Sequence, residues 1–177
     1  MIETLDLIVQ NTRPRSDGHF MLSQTSEYAL RIIVFLASRG GQPATIRQIA
    51  AATRVPEGYL AKVLQCLSRA GLVHSQRGLH GGSVLARPAE RLTVLDVIQA
   101  VDPIRRITTC PLGLKSHGVN LCPLHRRLDN AISLVEQAFR ESTIADLLAE
   151  PTTSTPLCEG PVARERPAAL TVRRPQK

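Results

Sequence analysis

The chain has 177 residues, enough for one domain with a proper core, and 43% of them are hydrophobic against 21% charged, a globular balance. Aromatic residues make up 3% and tryptophan is absent, which excludes a base-stacking platform for single-stranded nucleic acid. The formal charge of +7 is uneven: Arg39 to Arg91 holds eight basic against two acidic side chains, whereas Leu92 to Glu150 holds six against seven. A basic first half is what a surface tracking the phosphates of double-stranded DNA requires.

No apolar run approaches the roughly 20 residues needed to span a bilayer. The first residues lack the basic start and long apolar stretch of a signal peptide. A cytoplasmic protein with no membrane partner is therefore expected. Four cysteines do not make a disulfide framework in a chain this long, and two of them lie near histidines, a spacing that favours metal or redox chemistry in a reducing compartment. The chain carries no phosphate loop, nucleophile elbow or plausible pair of carboxylates, so an enzyme is not expected.

Residues 1–20 contain polar and turn-forming runs and are expected to be a disordered extension; Met21 opens MLSQTSEYALR, a natural start. From Thr25 the pattern turns helical, with Ser23 or Thr25 as N-cap and Tyr28, Ala29, Ile32, Ile33, Leu36 and Ala37 at helical spacing. Arg39-Gly40-Gly41 ends that helix. Thr45 caps a second, short helix, IRQIAAAT, with Ile46, Ile49 and Ala50 on one side. Arg54-Val55-Pro56 is a brief turn, with Pro56 at the first turn of a third helix. That helix, Glu57 to Arg69, is predicted to bury Leu60, Val63, Leu64, Leu67 and, as a packing residue, Cys66. Gly71 supplies its left-handed cap.

Two short helices joined by a tight turn make a helix-turn-helix. Leu72 to Gln76 then reads as a strand, Arg77 to Gly82 as a glycine-rich turn, and Ser83 to Ala86 as the return strand, together a β-hairpin wing. After the wing, Thr93 and Asp96 form a capping-box pattern for the helix LTVLDVIQAVD, ended by Asp102-Pro103. The segment Cys110 to His125 follows. A longer helix runs from about Pro123 to Glu141, with Leu124, Leu128, Ile132, Val135 and Phe139 forming an apolar stripe that is either core or a seam to a second copy. Ser142 or Thr143 caps a last turn, TIADLLAE. Residues 151–177, rich in Pro, Thr and Arg, are expected to be disordered and hold Cys158, an incidental thiol.

The fold class is thus mainly α: a winged helix-turn-helix over 21–92, and a sensor loop and long C-terminal dimerisation helix over 93–150. The run MLSQTSEYALR, the phrase GYLAKVLQCLSRAGLVHSQRGLHGGSVLA, then LTVLDVIQAVD and C-x2-H, resemble the bacterial winged-helix regulators that include IscR, NsrR and CymR. The resemblance covers residues 21–150. It implies a homodimeric transcription regulator, here read as a repressor, that binds a palindromic operator on double-stranded DNA.

In such proteins the third helix enters the major groove. Tyr59 and Lys62 match positions the family uses against DNA, and Ala61 stands where some relatives carry a longer, base-reading side chain. Arg77 matches a wing arginine that reaches the minor groove or a phosphate. Gly78, Gly81 and Gly82 would let the hairpin backbone approach DNA, and Thr45 and Arg47 would contact phosphates. His80, at the wing tip, reads as solvated.

Cluster-binding relatives carry C-x5-C-x5-C, some followed by x2-H. Cys110, Cys122 and His125 match that pattern, but Ser116 stands at its centre, and serine is a poor ligand for iron. His117 is adjacent to the gap, and Glu27, in SEYALR, aligns with a carboxylate that some relatives contribute from the partner subunit. Two thiolates with two nitrogen or oxygen ligands suit a [2Fe–2S] cluster, and the same set suits tetrahedral zinc. A cluster-free regulator responding to thiol oxidation, a small ligand or a partner protein is the alternative.

Overall fold

The first helix, α1 (Gln24–Ser38), starts where the Ser23 hydroxyl accepts the Ser26 amide at 3.2 Å, so Ser23 rather than Thr25 is the cap. Apolar residues fill more than half of its circumference: Ala29, Leu30, Ile32, Ile33, Val34 and Leu36 are all buried, while Gln24, Glu27, Arg31 and Ser38 share the remaining face. An apolar face that wide needs more than one neighbour to cover it. In this computed structural model, which describes residues 22–76, 78, 81–113 and 121–150, five elements pack on α1: α2 (Ile46–Thr53), α3 (Glu57–Arg69), the second strand of the wing, α4 (Val94–Val101) and α6 (Ile144–Ala149). The expected disorder at residues 1–20 and 151–177, the start at Met21, and Arg77, His80, Ser116, His117 and Cys158 fall outside the described residues.

α2 is opened by a capping box in which the Thr45 hydroxyl accepts the Gln48 amide and the Gln48 side chain accepts the Thr45 amide, satisfying two otherwise unpaired donors. Arg54 closes α2 in the left-handed region, φ 57°, and buried Val55 plugs the turn before α3. On α3, Leu60, Val63, Leu64 and Leu67 are buried as their spacing predicts. Cys66 beside them is half-buried, not enclosed. Gly71, φ +68°, then turns the chain into the wing.

The wing is an antiparallel pair, β1 (Val73–Gln76) and β2 (Gly82–Leu85), with Val73 opposite Leu85 and Gln76 opposite Gly82. It has a third participant. Ala44, just ahead of α2, exchanges both backbone hydrogen bonds with Ser83, at 3.0 and 2.8 Å. The approach is so close that a Cβ on Gly82 would lie 2.9 Å from the Ala44 carbonyl.

After a short turn at Ala89–Arg91, two capping boxes stand side by side. Thr93 with Asp96 opens α4, and Thr143 with Asp146 opens α6. The cap residues pair as an antiparallel bridge: the Val94 amide donates to Ser142 O at 2.9 Å, and the Ile144 amide to Leu92 O at 2.8 Å. α5 (Pro123–Glu141) lies between them in sequence and has no buried residue, whereas Ile144, directly after it, is fully buried in the common core with Val97 and Ile98.

Two details differ from the sequence expectations. Ile46 is 43% exposed, because Ala44 and Ile49 take the inward positions and the first residue of α2 points to the cleft described below. The α5 stripe is covered unevenly along its length: Leu124 and Leu128, in the first two turns, are 62% and 47% exposed, while Phe139, near the other end, packs against the core. At about 3.6 residues per turn the five positions stay on one face, so one stripe serves as core at one end and as open surface at the other.

Gly82→Ala is expected to destabilise the domain by about 1–3 kcal/mol through overpacking against the Ala44 backbone. Gly58→Ala, where nothing lies within 4 Å of the added methyl, should be neutral or stabilising by up to about 1 kcal/mol. Thermal melts of the two variants check the contrast.

Candidate DNA interface and sensing segment

Between α3 and the wing lies an open cleft of about 920 Å³, lined by Ile46, Gly58, Ala61, Lys62, Gln65, Arg69, Gln76 and Gly82 among others. The α3 residues on this side, Gly58, Ala61, Lys62, Gln65 and Arg69, are exposed because the buried set occupies the opposite face. Lys62 and Arg69 are basic, and among the described residues no acidic side chain lines the cleft. Thr45 and Arg47 are exposed beside it at the start of α2, although the Thr45 hydroxyl is already engaged in its capping box.

Tyr59 has a second role. Its ring packs edge-on against Tyr28, centroids 5.7 Å apart, and its hydroxyl shares a hydrogen bond with Thr25 at 2.7 Å. It therefore braces the start of α3 against α1 while remaining 38% exposed. From sequence Thr25 reads only as a cap candidate and Tyr28 as a helix-face residue, since 34 residues separate Thr25 from its partner. Among the wing glycines, Gly78 has φ +116° and Gly81 is half-buried. The missing side chain of Gly82 is accounted for by Ala44, without invoking DNA.

The second group of residues gathers at the start of α5. Cys122 is its N-cap, with Pro123 in the first turn. His125, three residues on, lies on the same face. Its Nδ1 is 3.2 Å from Cys122 Sγ and 4.0 Å from Cys110 Sγ, so two thiols separated by twelve positions meet at one ring nitrogen. The donor types fit an iron–sulfur cluster or zinc. Among the described residues, however, no group of three or more His, Cys, Asp or Glu is drawn tightly enough to hold a metal ion. Glu27, the fourth expected ligand, lies in the first turn of α1 and is ion-paired with Arg31 of the same helix.

Sequence reasoning overlooked the group that holds this segment in place. The Arg106 guanidinium grips the Asp129 carboxylate of α5 with both arms, at 2.7 and 2.6 Å, and the Ile107 amide donates to the same carboxylate at 2.9 Å. The Arg106 hydrogen bonds hold the Asp129 carboxyl below the usual carboxylate range against the opposing effect of desolvation, and the Ile107 amide adds to the depression. Asp146 is likewise lowered, chiefly by the Thr143 hydroxyl.

A winged helix with a basic cleft between its third helix and its wing defines a DNA-binding transcription regulator. The chain belongs to the Rrf2 family, described as iron-dependent transcriptional regulators, whose model matches residues 22–150. Protein aau3 of Rhizobium meliloti (strain 1021) is 34% identical over 135 residues, 72% of this chain and 84% of that protein. CymR (YrzC), the global cysteine regulator of B. subtilis, superposes with a TM-score of 0.61 at 27% identity, covering 74% of this chain and 98% of its own. IscR of T. potens gives a TM-score of 0.61 at 24% identity over 77% of this chain and 95% of its own; at that identity the likeness is one of fold. The family is one of regulators, not enzymes, in agreement with the sequence expectation. Among the described residues no helix is long and apolar enough to cross a membrane.

Because the folded state lowers the Asp129 pKa, the bridge contributes stability above the ordinary aspartate range, about 3.9, and loses it as pH falls through the lowered value. A carbon-detected NMR titration is expected to give Asp129 a pKa below that range and to show it rising in Arg106→Gln. An Asp129 pKa that does not respond to Arg106 would contradict the assignment.

Proposed function

We propose that this protein is a homodimeric repressor whose affinity for a palindromic operator is set by a [2Fe–2S] cluster at the Cys110–His125 segment. The observation that carries the proposal is the convergence of the Cys110 and Cys122 thiols on His125 Nδ1, at 4.0 and 3.2 Å. Cys110, Cys122 and His125 would hold the cluster, with Glu27 of a second subunit as the fourth ligand once released from Arg31. When bound, the cluster supplies a group whose charge and integrity respond to oxidants, and non-cysteine ligands raise its potential.

The protein's own part is mechanical. Residues 93–150 form the sensing and pairing half, and 21–92 the DNA-binding half. Leu124, Leu128 and Leu134, at 62%, 47% and 69% exposure on a helix with nothing buried, support pairing of α5 with its copy. Ordering the segment before α5 fixes how that helix meets its partner, and so the separation of two recognition helices that must match half-sites about one helical turn apart. Tyr59 and Lys62 would face the major groove. Arg77, Gly78, Gly81 and Gly82 would follow the wing to the backbone, and Thr45 and Arg47 would contact phosphates. A cytoplasmic location follows from that role.

A second reading is favoured by Ser116 at the centre of the cysteine pattern and by the loose spacing of the trio. In it, the Cys110 and Cys122 thiols respond to oxidation, a small ligand or a partner protein without a cluster, or hold zinc.

Protein purified without oxygen and reconstituted is expected to be coloured and to carry iron and sulfide in equal amounts, both lost in Cys110→Ala/Cys122→Ala. A colourless, iron-free product would leave the second reading. The double variant should also lose the difference in operator affinity between oxidised and reduced protein; affinity equal to wild type in both states would sink the sensing role. Arg77→Ala is expected to weaken binding to all sequences alike and to lower the log–log salt slope by about 1, which gel-shift titrations at several salt concentrations measure.

A further inference from the structure

The chain between α4 and Cys110 has no helix or strand to hold it. Ile104 packs against the core and its carbonyl accepts from Gln99 of α4; beyond it, the segment is held by one side chain of α5. Asp129 accepts from Arg106 Nε at 2.7 Å, from Arg106 Nη2 at 2.6 Å and from the Ile107 amide at 2.9 Å. A planar fork on a carboxylate, with a backbone donor added, restricts direction as well as distance. Glu136, two helical turns beyond Asp129, lies 3.9 Å from Arg106 Nη1 and is itself held by Arg140 at 2.9 Å. Both carboxylates are largely covered, with 16% and 18% of their side chains exposed.

The spacing of this clamp matches the site. Asp129 lies one turn after His125 and seven residues after Cys122, about 10 Å along a helix rising about 1.5 Å per residue. Ile107 lies three residues before Cys110, a reach of about 10 Å for extended chain. From the clamp, the segment therefore runs back along α5 and delivers Cys110 to the first turn with little slack. Without the clamp, the next upstream anchor is Ile104, and five residues of irregular chain, 105–109, would lead to the thiol.

We infer that Arg106 and Asp129 are positioning residues of the sensing site: they pin the incoming segment to α5 so that the Cys110 thiol meets Cys122 and His125. The clamp thereby makes the order of the segment and its seating on the pairing helix a single event. This inference rests on the reading of Cys110–His125 as the sensing site, but the placement it claims is measurable without a cluster or DNA.

Dibromobimane provides the measurement. Each of its two arms alkylates one thiol, forming a carbon–sulfur bond as bromide leaves and the thiol proton goes to solvent, and only thiols held close together are joined. Peptide mapping by mass spectrometry identifies the Cys110–Cys122 product in the full-length, cluster-free protein. The wild type is expected to cross-link readily. Arg106→Gln and Asp129→Asn should each slow the cross-link by tenfold or more, and the double variant should be no slower than either. Gln137→Ala, which removes an exposed hydrogen bond to Glu141 further along α5, should leave the rate unchanged.

Should Asp129→Asn fail to fold, Arg106→Lys carries the test, because it keeps the charge and loses the fork; an intermediate rate is expected. A wild type that does not join these two cysteines, single variants that react at the wild-type rate, additive losses in the double variant, or an equal loss in Gln137→Ala would each overturn the inference. Iron and zinc uptake by the wild type is scored separately. A protein that cross-links as expected but binds neither metal removes the metal reading and leaves the positioning role intact.

Discussion

Burial of the wide apolar face of α1 is the constraint from which the rest of the architecture follows. Ala29, Ile32 and Ile33 are wholly inaccessible, and Leu30, Val34 and Leu36 nearly so. No single neighbour covers a face this wide. α2, α3, the second wing strand, α4 and α6 share it. Apolar burial at roughly 25 cal/mol per Å² makes each uncovered face costly. The helix-turn-helix, the wing and the returning C-terminal helix therefore share a common partner, and the backbone bridges Ala44–Ser83 and Thr93–Thr143 join them further. Because α3 spends its apolar face on this core, its polar face and Lys62 are left outward over the cleft.

Local chemistry was legible in the sequence wherever the signal is local. The caps at Thr45, Thr93 and Thr143, the left-handed Gly71, the burial period of α3 and the limits of α5 all depend on residues within one or two turns. Ile46 was misassigned because periodicity alone does not say that Ala44, outside the helix, takes the inner place. The uneven cover of α5 escaped for a related reason, since periodicity finds an apolar stripe without saying which end of it a neighbour covers.

The features that hold the candidate site together lie beyond the reach of pattern. Thr93 and Thr143 are fifty residues apart, and Arg106 and Asp129 twenty-three. Nothing in the composition of either segment marks its partner. The cysteines themselves were singled out through resemblance, and both lie within 4.0 Å of His125 Nδ1, whereas the clamp beside them has no motif. In the same way Gly82 looks from sequence like any wing glycine, and only the bridge to Ala44 supplies its internal reason.

The pairing of Thr93 with Thr143 has an evolutionary consequence. It zips together the two ends of an excursion that includes α4, the cysteine segment and α5, so that the chain re-enters the core close to where it left. Closing a loop costs little more when the loop is lengthened, because the entropy grows only with the logarithm of its length. Beyond the buried face of α4, this arm behaves as an appendage clipped on at its base. A lineage can vary the arm's ligands and length, replacing a cysteine by Ser116 or exchanging one chemistry for another, while the body that grips DNA keeps its core.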